Sequence, residues 1–289
     1  MLQSPKFLIA ESESPAARER RRQAVGRSSG ETYAATLQQL HPGTETALVR
    51  PAEDGAQAFT PDMLAEYDAV FLTGSPLHTY DETPDVRRQL NFMRAVFASG
   101  TPSFGSCAGL QVAVTAAGGK VRKKQGAHEA GFARRITATE AGRTHPLLDG
   151  RGTAWDAAAI HSDEVERLPD GATLLALNPA SPVQAAEVRF GPGIFWGVQY
   201  HPELPLQEVA SALRRQADGL IGQGLARSPD DVETVAILIE ALGDTPDRPD
   251  LAWRLGVNEQ VADPALRTLE LRNFIHHLVL PTRAARGRK

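Results

Sequence analysis

"PSFGSCAGLQ", residues 102–111, holds the only cysteine in a chain of 289 residues. A short strand-like piece, "TPSFGS", runs into Gly105-Ser106-Cys107-Ala108-Gly109, and a helix-forming stretch, "AGLQVAVTAAGG", follows. A lone thiol forms no internal disulfide, and one cysteine without clustered partners makes a poor metal site. A free cysteine is commonly a small core residue. This one, however, stands in the pattern Gly-x-nucleophile-x-Gly between a strand and a helix. That is the form of a nucleophile elbow, where flanking glycines and small neighbours let the chain turn tightly and hold the nucleophile clear of the sheet edge. A helix N-terminus at that point sets a dipole and free N–H groups beside the sulfur, which suits an anion. Five residues of this form arise readily by chance, so the reading depends on what surrounds them.

Upstream, "KFLIA" (6–10), "ETALVR" (45–50) and Ala69 to Thr73 read as short buried strands. Between them "GETYAATLQQL" has helical spacing, with Tyr33, Leu37 and Leu40 on one side. "DVRRQLNFMRAVFASG" repeats Val86, Leu90, Met93 and Phe97 at intervals of three and four and ends on Gly100. Strands alternating with helices predict an α/β fold, a mainly parallel open sheet with helices on both faces. From Val121 to Phe190 the chain turns to strand-like pieces, "RRITAT", "ATLLALN" and "VQAAEVRF". "GIFWGVQYHPE" is then a strongly apolar strand that changes abruptly into a polar tripeptide. Beyond Leu206 the pattern is helical, which predicts a main domain over 1–222 and a C-terminal helical extension over 223–289. Its apolar stripes need a partner surface, either the main domain or a second copy of the chain. The arginine-rich "ESESPAARERRRQAVGRSSG" reads as a solvated loop or helix face because glutamates are interspersed, and the basic tail "PTRAARGRK" reads as frayed.

Bulk properties narrow the function. A net charge of −4 gives no reason to expect nucleic acid or an anionic membrane as partner. No apolar run approaches the ~18 residues that cross a bilayer. With one cysteine and no export signal read at the N-terminus, the reducing cytoplasm is the expected compartment.

A thiol nucleophile needs a base, and the base an orienting group. Of eight histidines, His201 alone ends a long apolar strand. Ends of parallel strands converge on one sheet edge, so His201 can meet Cys107 despite their separation in sequence. Glu203 follows two residues later, and in an extended chain both side chains project the same way, so the carboxylate can accept from the imidazole. "HPE" alone is more often a capped turn; beside a cysteine elbow it is much less so. Trp155, Trp196 and Trp253 read as packing residues.

"PSFGSCAGLQ" and "WGVQYHPE" together resemble the class I glutamine amidotransferases, flavodoxin-like proteins in which a Cys-His-Glu triad hydrolyses the side-chain amide of glutamine. "FLTGSP" is similar to the family's oxyanion strand and "IHSDEVERLPDGATLLA" to the segment before its final strands. "HEAGFARRI" is similar to a stretch in the amidotransferase part of GMP synthase. The likeness covers roughly residues 5 to 220. It implies Cys107 as nucleophile, His201 as general base and acid, Glu203 as orienter, and the N–H groups of Gly74 and Ala108 as oxyanion hole, each donor worth ~3 kcal/mol. It further implies substrate contacts from Ser75, Gln111, His161, Ser162 and Asp163, with no metal and no organic cofactor. His128 stands where relatives usually carry arginine, which leaves the role of its loop open. His78 and Tyr80 could rim the pocket but read more simply as exposed loop residues.

The expected activity is a glutaminase: thioester on Cys107, ammonia out, then hydrolysis to glutamate. The alternatives are a γ-glutamyl peptide hydrolase with no ammonia acceptor, or a silent binding module, against which the intact triad argues. Neither a Ser-Gly-Gly-x-Asp-Ser loop nor a Walker A sequence is present, so ammonia would pass to a separate synthase or to none.

Overall fold

Alternation along the first strand decides how the sheet is covered. In β1 (Lys6–Ala10), Phe7 and Ile9 enter one apolar cluster while Leu8 and Ala10 enter another. β3 (Ala69–Leu72) repeats the division, with Phe71 on the first side and Val70 and Leu72 on the second. Side chains of a strand alternate between faces, so a run apolar at every position demands cover on both. The computed structural model describes residues 4–126 and 128–288. Between β1 and β3 in the chain lies β2 (Glu45–Val49); the remaining strands are β4 (Ser103–Ser106), β5 (Lys120–Lys123), β6 (Glu129–Ala138), β7 (Ala154–His161), β8 (Asp163–Arg167), β9 (Ala172–Leu177), β10 (Ala185–Phe190) and β11 (Gly193–Val198).

Nine strands form one sheet in the order β2-β1-β3-β4-β11-β10-β9-β6-β7, and β5 pairs with β8 apart from it. The first five run parallel and the rest antiparallel. The expected α/β sheet is therefore present, extended by an antiparallel half. Helix Ser29–Leu40 covers one face through Tyr33 and Leu37, whereas Pro84–Ser99 and Ala108–Ala116 cover the other through Met93, Val96 and Leu110. Over the antiparallel half, Phe132 and Ala158 pack against helices Leu206–Arg215 and Pro229–Asp244 in a third cluster.

The C-terminal helices pack into this core. Leu271, Phe274, Ile275 and Val279 join Phe71, Phe104 and Trp196, with the Phe274 ring 5.4 Å from that of Phe71. Glu270, fully buried, accepts hydrogen bonds from Arg151 and from Tyr200 Oη at 2.7 Å. Tyr200 directly precedes His201, so the C-terminal helices brace the strand end that carries it.

Three expectations need correction. The basic tail is anchored rather than frayed: Arg286 and Arg288 donate to the carbonyls of Gly100 and Ala65, and Arg283 and Arg288 both lie 3.2 Å from the Asp68 carboxylate. These cations satisfy carbonyls and a carboxylate at the edges of β3; Lys289 lies outside the described residues. The arginine-rich stretch is helix Pro15–Val25, solvated along one face as expected but docked along the other: Arg18 is buried against Glu11 and Glu53, and Arg21 is half-buried against Glu208. Trp253 is 84% exposed because Leu251 and Leu255 of the same helix take the inward positions. Trp155 and Trp196 are buried as expected.

Candidate active site

Cys107 sits at the junction of β4 and helix Ala108–Ala116 with φ 53° and ψ −112°. A positive φ costs a non-glycine residue free energy and persists only where its surroundings impose it. Here the Cys107 N–H donates to Val198 O of β11 at 2.8 Å, and Gly109 passes so close to β3 that an added Cβ would meet Leu72 O at 2.5 Å. Beneath the turn, Ser106 Oγ and Tyr33 Oη lie 2.8 Å apart in the core. The turn is thus held from three directions, and the sulfur is turned towards Ile160 O, 3.9 Å away.

His201, in the turn that follows β11, hydrogen-bonds Glu203 Oε1 through Nδ1 at 2.7 Å and interacts with the Cys107 side chain. Its N–H donates to Ala158 O of β7, which ties the ring's backbone to the antiparallel half. Burial of the ring opposes its positive charge, but the Glu203 carboxylate and the Cys107 sulfur outweigh it and push the imidazole up to about 10. Glu203 is itself buried, and its second oxygen has no hydrogen-bond partner among the described residues. Gly74, just past β3, touches both groups: a Cβ there would stand 2.8 Å from His201 Cε1 and 3.7 Å from Cys107 Cβ. The Ala108 N–H, first of its helix, has no intrahelical acceptor.

These residues open onto a cleft of about 500 Å³ that also reaches Ser75, Gln111, His161, Ser162 and Asp163. Gln111 donates its amide hydrogens inward, to Asp163 O at 3.3 Å and Gln199 Oε1 at 3.1 Å. Its oxygen is then the atom left to present to a ligand, so it offers an acceptor. The His161 side chain turns into a polar network, with Nε2 2.8 Å from Glu129 Oε2 and Nδ1 2.8 Å from Asp163 O. Asp163 accepts from His78 Nδ1 at 2.6 Å and Tyr80 Oη at 3.2 Å. His78 and Tyr80, stacked at 5.3 Å, are therefore tied to the cleft wall and are not merely exposed loop residues. His128 does not reach this cleft. It lines a separate cavity of about 610 Å³ between β6 and the helices after Arg215.

Sequence reasoning missed the support behind these groups. Glu129 gathers His161, Asn178, Ser181 and Gln184, all within 2.9 Å, with Lys124 Nζ at 3.9 Å. Burial opposes its charge, yet the hydrogen bonds from His161 and Asn178 and the charge of Lys124 hold its carboxyl at about 2. The sequence separation of these partners, 32 to 55 residues, gave no local signal. Arg20, Arg21 and Arg215 also line the cleft, from helices Pro15–Val25 and Leu206–Arg215.

Cys107 on its forced turn thus stands beside the buried His201–Glu203 pair at the ends of neighbouring strands. Residues 29–217 match the family model for class-I glutamine amidotransferases. The chain belongs to that family and is an amide-hydrolysing enzyme of it. It is 36% identical over 282 residues to the gamma-glutamyl-L-1-hydroxyisopropylamide hydrolase of a Pseudomonas species, covering 96% of this chain and 94% of the relative. It is 33% identical over 158 residues to GMP synthase [glutamine-hydrolyzing] of Wolinella succinogenes, of which it spans 29%. A glutamine amidotransferase from Thermotoga maritima shares the fold, with TM-score 0.63 at 15% identity over 96% of this chain and 99% of that one. No helix among the described residues is long and apolar enough to cross a membrane.

Proposed function

We propose that the chain hydrolyses γ-glutamyl amides through a thioester on Cys107, with glutamine as the smallest such substrate. The observation that carries this is the His201 ring, with Nδ1 2.7 Å from Glu203 Oε1 and the ring in interaction with the elbow sulfur, whose proton it is placed to take. In this reading Cys107 Sγ attacks the γ-carbonyl carbon, and the oxyanion that forms is received by the N–H groups of Gly74 and Ala108. His201 gives its proton to the departing nitrogen as the C–N bond breaks, which releases the amine, or ammonia from glutamine. Water then gives a proton to His201 and attacks the thioester, the C–S bond breaks, and glutamate leaves. Gln111 oxygen and the Asp163 carboxylate suit the α-ammonium group of the glutamyl part.

A partner that accepts ammonia is a second reading, supported by the relationship to GMP synthase. The near full-length match to a γ-glutamyl hydrolase favours an enzyme that works alone. The test is glutamate release by the purified chain from glutamine and from γ-glutamyl amides, alongside alkylation of Cys107 by a glutamine-like chloroketone. Faster alkylation by the chloroketone than by iodoacetamide, with protection by glutamate, is the expected result. No glutamate release from any γ-glutamyl amide would overturn the reading.

A further inference from the structure

The cleft has more room than the glutamyl group requires, and one part of its wall carries three arginines, Arg20, Arg21 and Arg215, with Glu13 among them. A volume of about 500 Å³ is of the size that encloses a drug-sized molecule, well beyond a five-carbon amino acid. Asp163, with His78 and Tyr80 upon it, lies on the loops after β7 and β3. Arg20, Arg21 and Arg215 lie on the two helices that wall the cleft elsewhere. Arg21 is neutralised by Glu208 and by Glu13 at 3.7 Å. Arg20 has no side-chain partner among the described residues, and Arg215 donates only to the neutral Ser211 hydroxyl, at 2.7 Å. Burial and the charge of Arg21 lower the pKa of Arg215 against the opposing charges of Glu13 and Glu208, neither of which hydrogen-bonds to it.

We infer that Arg20 and Arg215 receive a carboxylate on the leaving amine, so that the preferred substrates are γ-glutamyl amides of amino acids. This rests on the γ-glutamyl hydrolase reading above. The α-ammonium and α-carboxylate of the glutamyl part share one carbon. A wall that takes the ammonium at Asp163 therefore keeps that carboxylate in its own neighbourhood, and the two arginines are left for a second one. Arginine forks match carboxylates in pairs of hydrogen bonds, and both side chains are exposed to an incoming ligand.

The test compares γ-glutamyl-L-alanine with γ-glutamyl-L-1-hydroxyisopropylamide, whose leaving amines differ only by carboxylate against hydroxymethyl. The expected preference in kcat/KM for the alanine compound is roughly tenfold or more, the scale of a charge-assisted hydrogen bond. In the double variant Arg20→Met/Arg215→Met the ratio of the two kcat/KM values falls towards one, mainly through a higher KM for the alanine compound. Iodoacetamide alkylation of Cys107 at the wild-type rate checks that the variant is folded. Equal kcat/KM values in the wild type overturn the inference, as does a parallel loss for both substrates in the variant, which would assign the arginines to the glutamyl half. If neither compound nor glutamine is cleaved, the hydrolase reading itself falls and takes this inference with it.

Discussion

The two halves of the sheet contribute differently. The parallel half, β2-β1-β3-β4-β11, delivers Gly74, Cys107 and His201 from the ends of three adjacent strands. The antiparallel half, β10-β9-β6-β7, delivers the loop from His161 to Asp163 and holds it through Glu129. In the first half the reacting groups are fixed by backbone: a forced φ, a glycine contact and a strand register. In the second, the cleft wall is fixed by side chains around one buried carboxylate. In the proposed function, reaction chemistry thus stands on main-chain geometry, whereas substrate selection stands on a polar network.

Cys107→Ala tests the parallel half most severely. Turnover should fall by roughly 10⁶-fold, as when the nucleophile of a triad is lost. Cys107, though buried, belongs to none of the three apolar clusters, so the melting temperature should stay nearly unchanged; retained activity with a large drop in stability would return Cys107 to the core. Glu203→Gln comes next, at roughly 10⁴-fold, because the ring loses its orienting charge while its shape is kept. Glu203 is the largest influence raising the imidazole above its ordinary value. The sign follows: with the carboxylate gone, His201 gives up its proton at lower pH, and the alkaline limb of kcat should move to lower pH. An unmoved limb would separate Glu203 from His201.

Gly74→Ala should cost about 10²-fold, since a Cβ 2.8 Å from His201 Cε1 displaces the ring from its position beside the sulfur. Its signature is a fall in kcat with little change in KM. Glu129→Gln should have the smallest effect on kcat and act instead on KM and on stability. The carboxyl is held at about 2 against an ordinary value of 4.5. It therefore contributes stability that is fully present above pH 4.5 and lost as the pH falls towards 2. In Glu129→Gln, melting temperatures followed across that interval should decline less steeply than in the wild type. A kcat loss as large as that of Gly74→Ala would break the division between the halves.

Much of the parallel half was legible because its signals are local. Four-residue apolar runs, glycines after the helices and a cysteine between two glycines each define a piece of backbone without distant information. β7 and β8 were not among the strands read from the sequence. "AWDAAAIHSDEVER" mixes small, acidic and apolar residues, and its strand character comes from pairing with β6 and β5. The tail "PTRAARGRK" misled for a related reason: three arginines are polar in any local window, and Asp68 and carbonyls 186 to 223 residues away give them partners.

The sequence by itself determined the elbow at Cys107, the strand end that carries His201, and the pairing of His201 with Glu203. Each follows from backbone periodicity and the fixed geometry of strand ends. Only the tertiary structure decided that Glu129 anchors His161, that Asp163 holds His78 and Tyr80, and that the helix Pro15–Val25 turns arginines into the cleft beside Arg215. A side chain's charge is printed in the sequence, but its partner is chosen by packing. A buried ion must find its counterion or hydrogen bonds wherever the fold brings them, at any distance along the chain.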